Sequence, residues 1–212
     1  MRAIKYSVIR YTAILAVCGL GLLAVSASSA SAASWKVSKV ALVGEAALAE
    51  KAKVLTPIEI GLPAFSTTVT CKAVVVQKHA KAPIELNGTF TFQECSGGSE
   101  GCAVPSSIKT NQLTSVAKTV GLKGGELPTK PTTGETVLTL ELSGPKCPLG
   151  KVPVKGSFTA TSPELQVELV EHELAFSSSS LKGVIGEKES TEVTLKGSIF
   201  VALASEKTWS FS

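Results

Sequence analysis

The chain of 212 residues contains no aspartate, so all 17 of its acidic residues are glutamates. Without aspartate there is neither a Ser-His-Asp triad nor an aspartate-rich calcium loop of the EF-hand kind. Arginine, tyrosine and methionine occur only within the first eleven residues. The rest of the chain therefore lacks the bidentate guanidinium that suits phosphate and carboxylate ligands, and lysine is its only strong cation.

The N-terminus has the pattern of a secretory signal peptide. Three basic residues precede the apolar run Thr12–Val25, and the small residues that follow offer cleavage sites after Ala32 and Ala33. The run is short for a membrane span, which needs about 20 residues. We therefore expect a signal peptide at 1–33, a single domain at 34–212, and no membrane span after cleavage.

Cys18 lies inside this apolar run and raises an alternative. The tetrapeptide that ends at Cys18 has the outline of a lipoprotein signal, but Val17 stands where such signals usually carry a small residue. The apolar run also continues past the cysteine. A surface protein anchored to lipid through Cys18 is therefore the alternative to a secreted one.

The charge of the chain is concentrated in this leader. The formal net charge is +4, from 21 basic and 17 acidic residues, and three of the basic residues lie in the predicted signal peptide. The remainder carries 18 − 17 = +1, which gives no electrostatic reason to expect nucleic acid as a partner. Neither a Walker A nor a dinucleotide-binding fingerprint is present, so we expect no cofactor.

The rest of the chain alternates apolar and polar residues with a period of two, which predicts half-buried strands. Asn87-Gly88 is a common hairpin signal, but a single strand through Ile84–Gln93 keeps the alternation unbroken, and we prefer it. We expect glycines on apolar faces at strong sheet curvature or under an aromatic ring. Four predicted strands carry such a glycine, and these are Gly88, Gly144, Gly156 and Gly197.

Other segments complete the prediction. Further candidate strands are Val37–Val43, Val54–Ile60, Thr67–Val76, Ile108–Val120, Leu165–Phe176 and Lys207–Phe211. Ala46–Lys53 has the composition of a helix or of an edge segment, and Leu127–Glu135 is the clearest loop. About ten strands with almost no helix predict an all-β, single-domain antiparallel sandwich or barrel-like fold, stapled by disulfides.

An even number of cysteines in an exported domain predicts two disulfides, which three pairings could satisfy. The cysteines concerned are Cys71, Cys95, Cys102 and Cys147. We expect a Cys95–Cys102 clip and a long Cys71–Cys147 tie. A six-residue spacing fits zinc poorly, so we expect no metal. The clipped turn is also a candidate binding loop, formed by Ser96, Gly97, Gly98 and Ser99.

The chain has two histidines. His79 reads as a solvated side chain in a polar loop. His172 lies near Glu168 and Glu171, where the alternation changes face and indicates a bulge. One histidine with carboxylates is a weak metal or catalytic candidate, and the H-E-x-x-H motif is absent.

Several segments occur in a recognisable order: "WKVSKVALVG", "TTVTCKAV", "FTFQEC", "GCAVPSS", "GETVLTLELSGPKCP" and "VALASEKTWSF". This order resembles a large group of uncharacterised exported proteins of soil actinobacteria, of the Solirubrobacter type. The resemblance implies export and the cysteine framework, and it implies no activity.

The sequence therefore predicts a secreted protein, extracellular or associated with the cell wall, that binds or supports without being an enzyme. Its specificity is unknown, and cell-wall polysaccharide or another surface protein is the expected partner. The alternatives are a hydrolase of wall polysaccharide that uses glutamates and the lipid-anchored protein described above.

Overall fold

The computed structural model describes residues 32–99, 101–178, 180–186 and 189–212. The predicted signal peptide and Cys18 lie outside the described residues, apart from the last positions of the leader. Residues Ala33–Ser212 form one compact unit. Its strands are β1 (Trp35–Val37), β2 (Val40–Ala41), β3 (Glu45–Ala47), β4 (Lys51–Leu62), β5 (Thr67–Lys81), β6 (Glu85–Gly98), β7 (Ser107–Lys109), β8 (Leu113–Val116), β9 (Lys118–Val120), β10 (Gly124–Pro131), β11 (Thr136–Glu141), β12 (Lys151–Lys155), β13 (Phe158–Ser162), β14 (Glu171–Ser178), β15 (Lys182–Ile185), β16 (Glu189–Glu192), β17 (Thr194–Ala202) and β18 (Trp209–Phe211). The described part of the chain contains no helix with the length and hydropathy of a membrane span.

Eight of these strands close into an antiparallel barrel. Their order is β5-β4-β17-β14-β13-β10-β8-β6, and β6 returns to pair with β5. The β5–β6 ladder that closes the barrel runs from Thr68 opposite Gly98 to Lys81 opposite Glu85. The predicted all-β, barrel-like fold is confirmed, and β3, β7 and β9 attach to its margins.

The barrel interior is filled by side chains, as expected for eight strands. The Phe90 ring, on β6, meets Phe176, on β14, edge to face at 5.5 Å, and Phe158 meets Phe176 at 6.0 Å. Since β6 and β14 are not neighbours in the barrel, the rings of Phe90 and Phe176 meet across its interior. The Phe90–Phe176 contact therefore joins opposite walls of the barrel, and Phe158 of the neighbouring strand β13 packs against the same ring.

Two smaller sheets pack on this barrel. β18, β1 and β2 form the first, and β11, β12, β15 and β16 form the second. The first carries an aromatic cluster in which Trp35 lies 5.5 Å from Trp209 and 5.0 Å from Phe211. Trp35 Nε1 donates to the Glu85 carbonyl, and Trp209 Nε1 donates to the Val170 carbonyl. The cluster therefore ties both chain ends of the domain to turns at one end of the barrel.

The continuous strand predicted through Asn87-Gly88 is confirmed as part of β6. Gly88 has a φ of +144°, and a Cβ there would collide with the backbone carbonyl of Gln77 on β5. Gly197 has a φ of +126° and lies where the pairing of β17 with β4 shifts register. Both glycines thus allow two strands to approach closely.

Other strand predictions need correction. Ile108–Val120 is divided among β7, β8 and β9. The strand predicted to carry Gly156 is interrupted at that glycine, because β12 ends before it and β13 begins after it, in a different sheet. Leu127–Pro131 was predicted as loop but belongs to β10, where Leu127, Thr129 and Pro131 are buried in alternation. Pro128 and Pro131 cannot donate backbone hydrogen bonds to the ladder. The burial of alternate side chains of β10 outweighs this loss.

Three segments whose sequence pattern is ambiguous also differ from the prediction. Ala46–Lys53 forms no helix and instead contributes to β3 and β4. The change of face near Leu169 is not a bulge within a strand, because β14 begins only at Glu171, after a turn. His79 is exposed as expected, but it lies within β5 rather than in a loop.

The four cysteines among the described residues all form disulfides, as predicted, but the predicted pairing is wrong. The bonds are Cys71–Cys95 and Cys102–Cys147. Cys71 and Cys95 are directly opposite in the β5–β6 ladder, a register that local spacing does not reveal. Cys102 is instead placed near the segment after β11, because Ala103 pairs with Ser143 through two backbone hydrogen bonds.

This pairing predicts the products of a non-reducing digest. Trypsin together with a glutamate-specific protease separates Cys95 from Cys102 at Glu100. Mass spectrometry should then find Cys71 peptides linked to Cys95 and Cys102 peptides linked to Cys147. Replacing either pair by alanines should lower the free energy of unfolding by about 3–4 kcal/mol, since the closed loops are a few tens of residues long. A Cys95–Cys102 peptide would contradict the barrel register.

Candidate functional site

His172, the first candidate from the sequence, is buried and already hydrogen-bonded. Its Nε2 donates to the Trp209 carbonyl at 2.7 Å, and its ring lies edge-on to Trp209 with centroids 4.6 Å apart. Burial lowers the pKa of His172, although the carbonyl of Trp209 opposes the shift. A neutral imidazole that donates through Nε2 supports the aromatic cluster, which is a structural role.

The two glutamates near His172 do not complete a site with it. Glu168 accepts hydrogen bonds from the Lys39 backbone at 2.7 Å and from the hydroxyls of Thr208 and Ser210. Burial raises the pKa of Glu168, but these hydrogen bonds outweigh it and hold the pKa below its usual value. Glu171 is exposed. Within the described ranges, no group of three histidine, cysteine or acidic side chains could hold a metal ion.

The predicted binding loop at Ser96–Ser99 is not a free loop. Ser96, Gly97 and Gly98 belong to β6 and pair with Thr70, Val69 and Thr68 of β5. Ser99 then forms a single bridge with Cys102. The predicted loop is wrong because Cys95 bonds to Cys71 on β5 and not to Cys102. The β5–β6 ladder therefore continues through the glycine-rich segment.

A surface cleft lies where the barrel meets the four-stranded sheet. Its volume is about 450 Å³. Three lysines reach it from three strands: Lys130 from β10, Lys155 from β12 and Lys182 from β15. Its other lining residues are Pro131, Gly134, Glu135, Gly156, Ser157 and Ser180.

The walls of this cleft are held by direct contacts. Ser157 and Ser180 share a hydroxyl–hydroxyl hydrogen bond of 2.9 Å. Gly156 has a φ of +108°, and a Cβ there would collide with the Ser180 carbonyl. The two segments that form this wall therefore touch through their backbones, and the hydrogen bond between Ser157 and Ser180 joins them.

A second unusual feature is a lysine inside the barrel. Lys78 is 1% exposed, and its Nζ lies 4.7 Å from the centroid of the Phe90 ring. Gly88, directly opposite Lys78 in the ladder, adds no side chain to the interior beside it. Cation–π attraction to Phe90 compensates part of the lost hydration.

The hydrogen bonds of Lys78 have a defined direction. Thr129 Oγ1 donates to the Leu127 carbonyl at 2.8 Å, so the Ser115 hydroxyl must donate to Thr129 Oγ1, also at 2.8 Å. Ser115 Oγ is then free to accept from Lys78 Nζ at 3.3 Å. Each bond polarises the next, but burial still dominates and lowers the pKa of Lys78 to about 7.

With both features described, the chain can be compared with known proteins. No family model matches it, and neither a curated protein nor a solved structure is significantly similar. The resemblance to exported actinobacterial proteins stays a prediction. Any function must therefore be inferred from the cleft and the buried groups themselves.

The sequence contains a signal for Lys78 that our prediction did not use. Val74, Val76, Lys78 and Ala80 share one parity, and extending the strand past Val76 would have placed the lysine inside. The lysines of the cleft have no such local signal, because three separate strands bring them together. Only the sheet topology reveals that site.

The buried lysine predicts a pH dependence of stability. The pKa of Lys78 is about 7 in the folded protein and about 10.5 as an ordinary lysine, so the unfolded state binds more protons between these values. The free energy of unfolding should therefore rise as the pH increases above 7, by on the order of 3–5 kcal/mol over the full window. Below pH 7 the cost of burying the charge is fully present. Urea denaturation at pH 6, 7.5 and 9 measures the rise.

Lys78→Met should remove this rise and stabilise the protein most at pH 6. Lys72→Met is the matched control, since Lys72 is an exposed lysine of the same strand, and it should keep the wild-type pH dependence. If Lys78→Met is destabilised equally at every pH, the buried ammonium is not the source of the effect.

Proposed function

We propose that this is an exported, non-catalytic binding protein that acts outside the membrane or in the cell wall, with the cleft beside Lys130 as its ligand site. The observation that carries the proposal is the cleft itself. It is a recess of about 450 Å³, within the usual size of small-ligand sites. Its walls come from two sheets of one compact unit.

The location is supported by the cysteines and by the leader. Two disulfides fit an oxidising, extracellular environment. The basic, apolar and small-residue regions of the first 33 residues supply the export signal that such an environment requires. Cell-wall polysaccharide is the partner that this location favours.

The lining of the cleft favours binding over catalysis. Glycoside hydrolysis in most enzymes needs two carboxyl groups, about 5–9.5 Å apart, facing the same bond. Among the described residues, Glu135 is the single carboxylate that lines the cleft, and it forms an ion pair of 3.3 Å with Lys155. Lys78, the most perturbed amine, is sealed inside the barrel and does not meet a ligand in the cleft.

The proposal predicts that filling the cleft abolishes binding to wall material. Ser180→Trp places a large ring among the lining residues. The oxidised wild-type protein should be retained on purified cell-wall polysaccharide fractions, and Ser180→Trp should be retained at least tenfold less. A sedimentation assay with quantified bound protein measures the difference.

Ser107→Trp is the matched control, because Ser107 is an exposed serine on β7, outside the cleft. It should bind like the wild type, and near-UV circular dichroism should show both variants folded. Equal retention of Ser180→Trp and wild type would refute the cleft as the site. Release of soluble fragments from the wall fractions by the protein would refute the non-catalytic assignment.

A further inference from the structure

The cleft contains an arrangement of charge that is unfavourable in the unliganded protein. Lys155 of β12 and Lys182 of β15 are directly opposite each other in an antiparallel pair. Cβ atoms of directly opposed residues lie about 4.5–5.5 Å apart, and like charges at such positions destabilise a sheet. Lys130 of β10 is a third lysine among the residues that line the same recess.

The neighbouring glutamates compensate this charge only in part. Glu135 pairs with Lys155, but the pair is solvent-exposed and such pairs contribute little. Glu192 is opposite Lys182 on its other side, yet it does not line the cleft. Among the described residues, neither Lys130 nor Lys182 is within salt-bridge distance of a carboxylate. By formal charge, three lysines against one glutamate leave the described lining of the cleft with an excess of two positive charges.

This local excess is not a consequence of the overall composition. Beyond the predicted signal peptide the chain carries only +1, so two positive charges in one recess represent a concentration of charge. A recess focuses such a field and attracts ligands of the opposite sign. We propose that the ligand of the cleft is a phosphate-bearing polysaccharide of the wall, which the three lysines hold by its phosphate groups.

The cations that line the cleft are lysines, since no arginine occurs after residue 10. A lysine ammonium binds phosphate as a point charge. It pairs with carboxylate in the same way, so the carboxylated probe in the experiment below decides between the two anions. A bound phosphate chain would also relieve the repulsion between Lys155 and Lys182. This inference rests on the proposed function, because it names the ligand class of the same cleft.

The test uses the oxidised full chain and linear polyphosphate of about ten phosphates as the probe, with isothermal titration calorimetry. The wild type should bind it, and a tenfold rise in salt should weaken binding by on the order of 20-fold if two phosphates are neutralised. Lys130→Gln with Lys182→Gln should weaken binding at least tenfold without lowering the melting temperature. Oligogalacturonate and maltohexaose serve as carboxylated and neutral probes of similar length and should bind at least tenfold more weakly.

The matched control replaces two lysines outside the cleft, Lys72→Gln with Lys109→Gln, both of which are exposed. It should bind polyphosphate within twofold of the wild type, and so should Lys182→Arg, which keeps the charge. An equal loss in this control would mean that only the net charge matters and would overturn the inference. Tighter binding of oligogalacturonate would overturn it as well.

The failure of this inference is distinguishable from the failure of the proposed function. If wall fractions retain the protein and Ser180→Trp abolishes retention, but polyphosphate does not bind, the cleft is a binding site and its ligand class is wrong. If Ser180→Trp does not change retention on wall fractions, the site itself is wrong, and with it the inference.

Discussion

The closure of the barrel by the β5–β6 ladder is the constraint on which the rest of the structure depends. This ladder brings the last strand of the barrel path back to the first, and it leaves no exposed edge along those strands. Its register places Cys71 against Cys95 and Lys78 against Gly88. One pairing therefore determines both a disulfide and the position of the buried lysine. The other strands of the barrel lie between β5 and β6 along its path.

Closure also explains how the two small sheets are held. Turns at one end of the barrel receive the aromatic cluster of β1 and β18, where Glu168 and His172 fix the backbone through hydrogen bonds. The Cys102–Cys147 bond connects the chain after β6 to the segment between β11 and β12. Glu168 and His172, which the sequence suggests as a weak metal or catalytic candidate, thus help to join the three-stranded sheet to the barrel.

The sequence predicts the parts of this fold that depend on local alternation. The strand through Gly88 was predicted because the period of two is unbroken there. The strand at Leu127–Pro131 was not, since its two prolines suggest a loop and its burial depends on neighbours distant in sequence. The cysteine pairing follows from register between strands, which spacing does not encode. The cleft has the same dependence, because Lys130, Lys155 and Lys182 converge only once three strands are placed.

The two groups of unfavourable lysines differ in what compensates them. Lys78 has an internal acceptor in Ser115 and an aromatic face in Phe90, so the contacts that partly compensate its burial all lie inside the barrel. Lys155 and Lys182 are opposed in a solvent-facing recess, where the local carboxylate leaves an excess of positive charge. The physical difference between them is that an external anion can reach only the second group, which is why the cleft and not the buried lysine is the better candidate for binding.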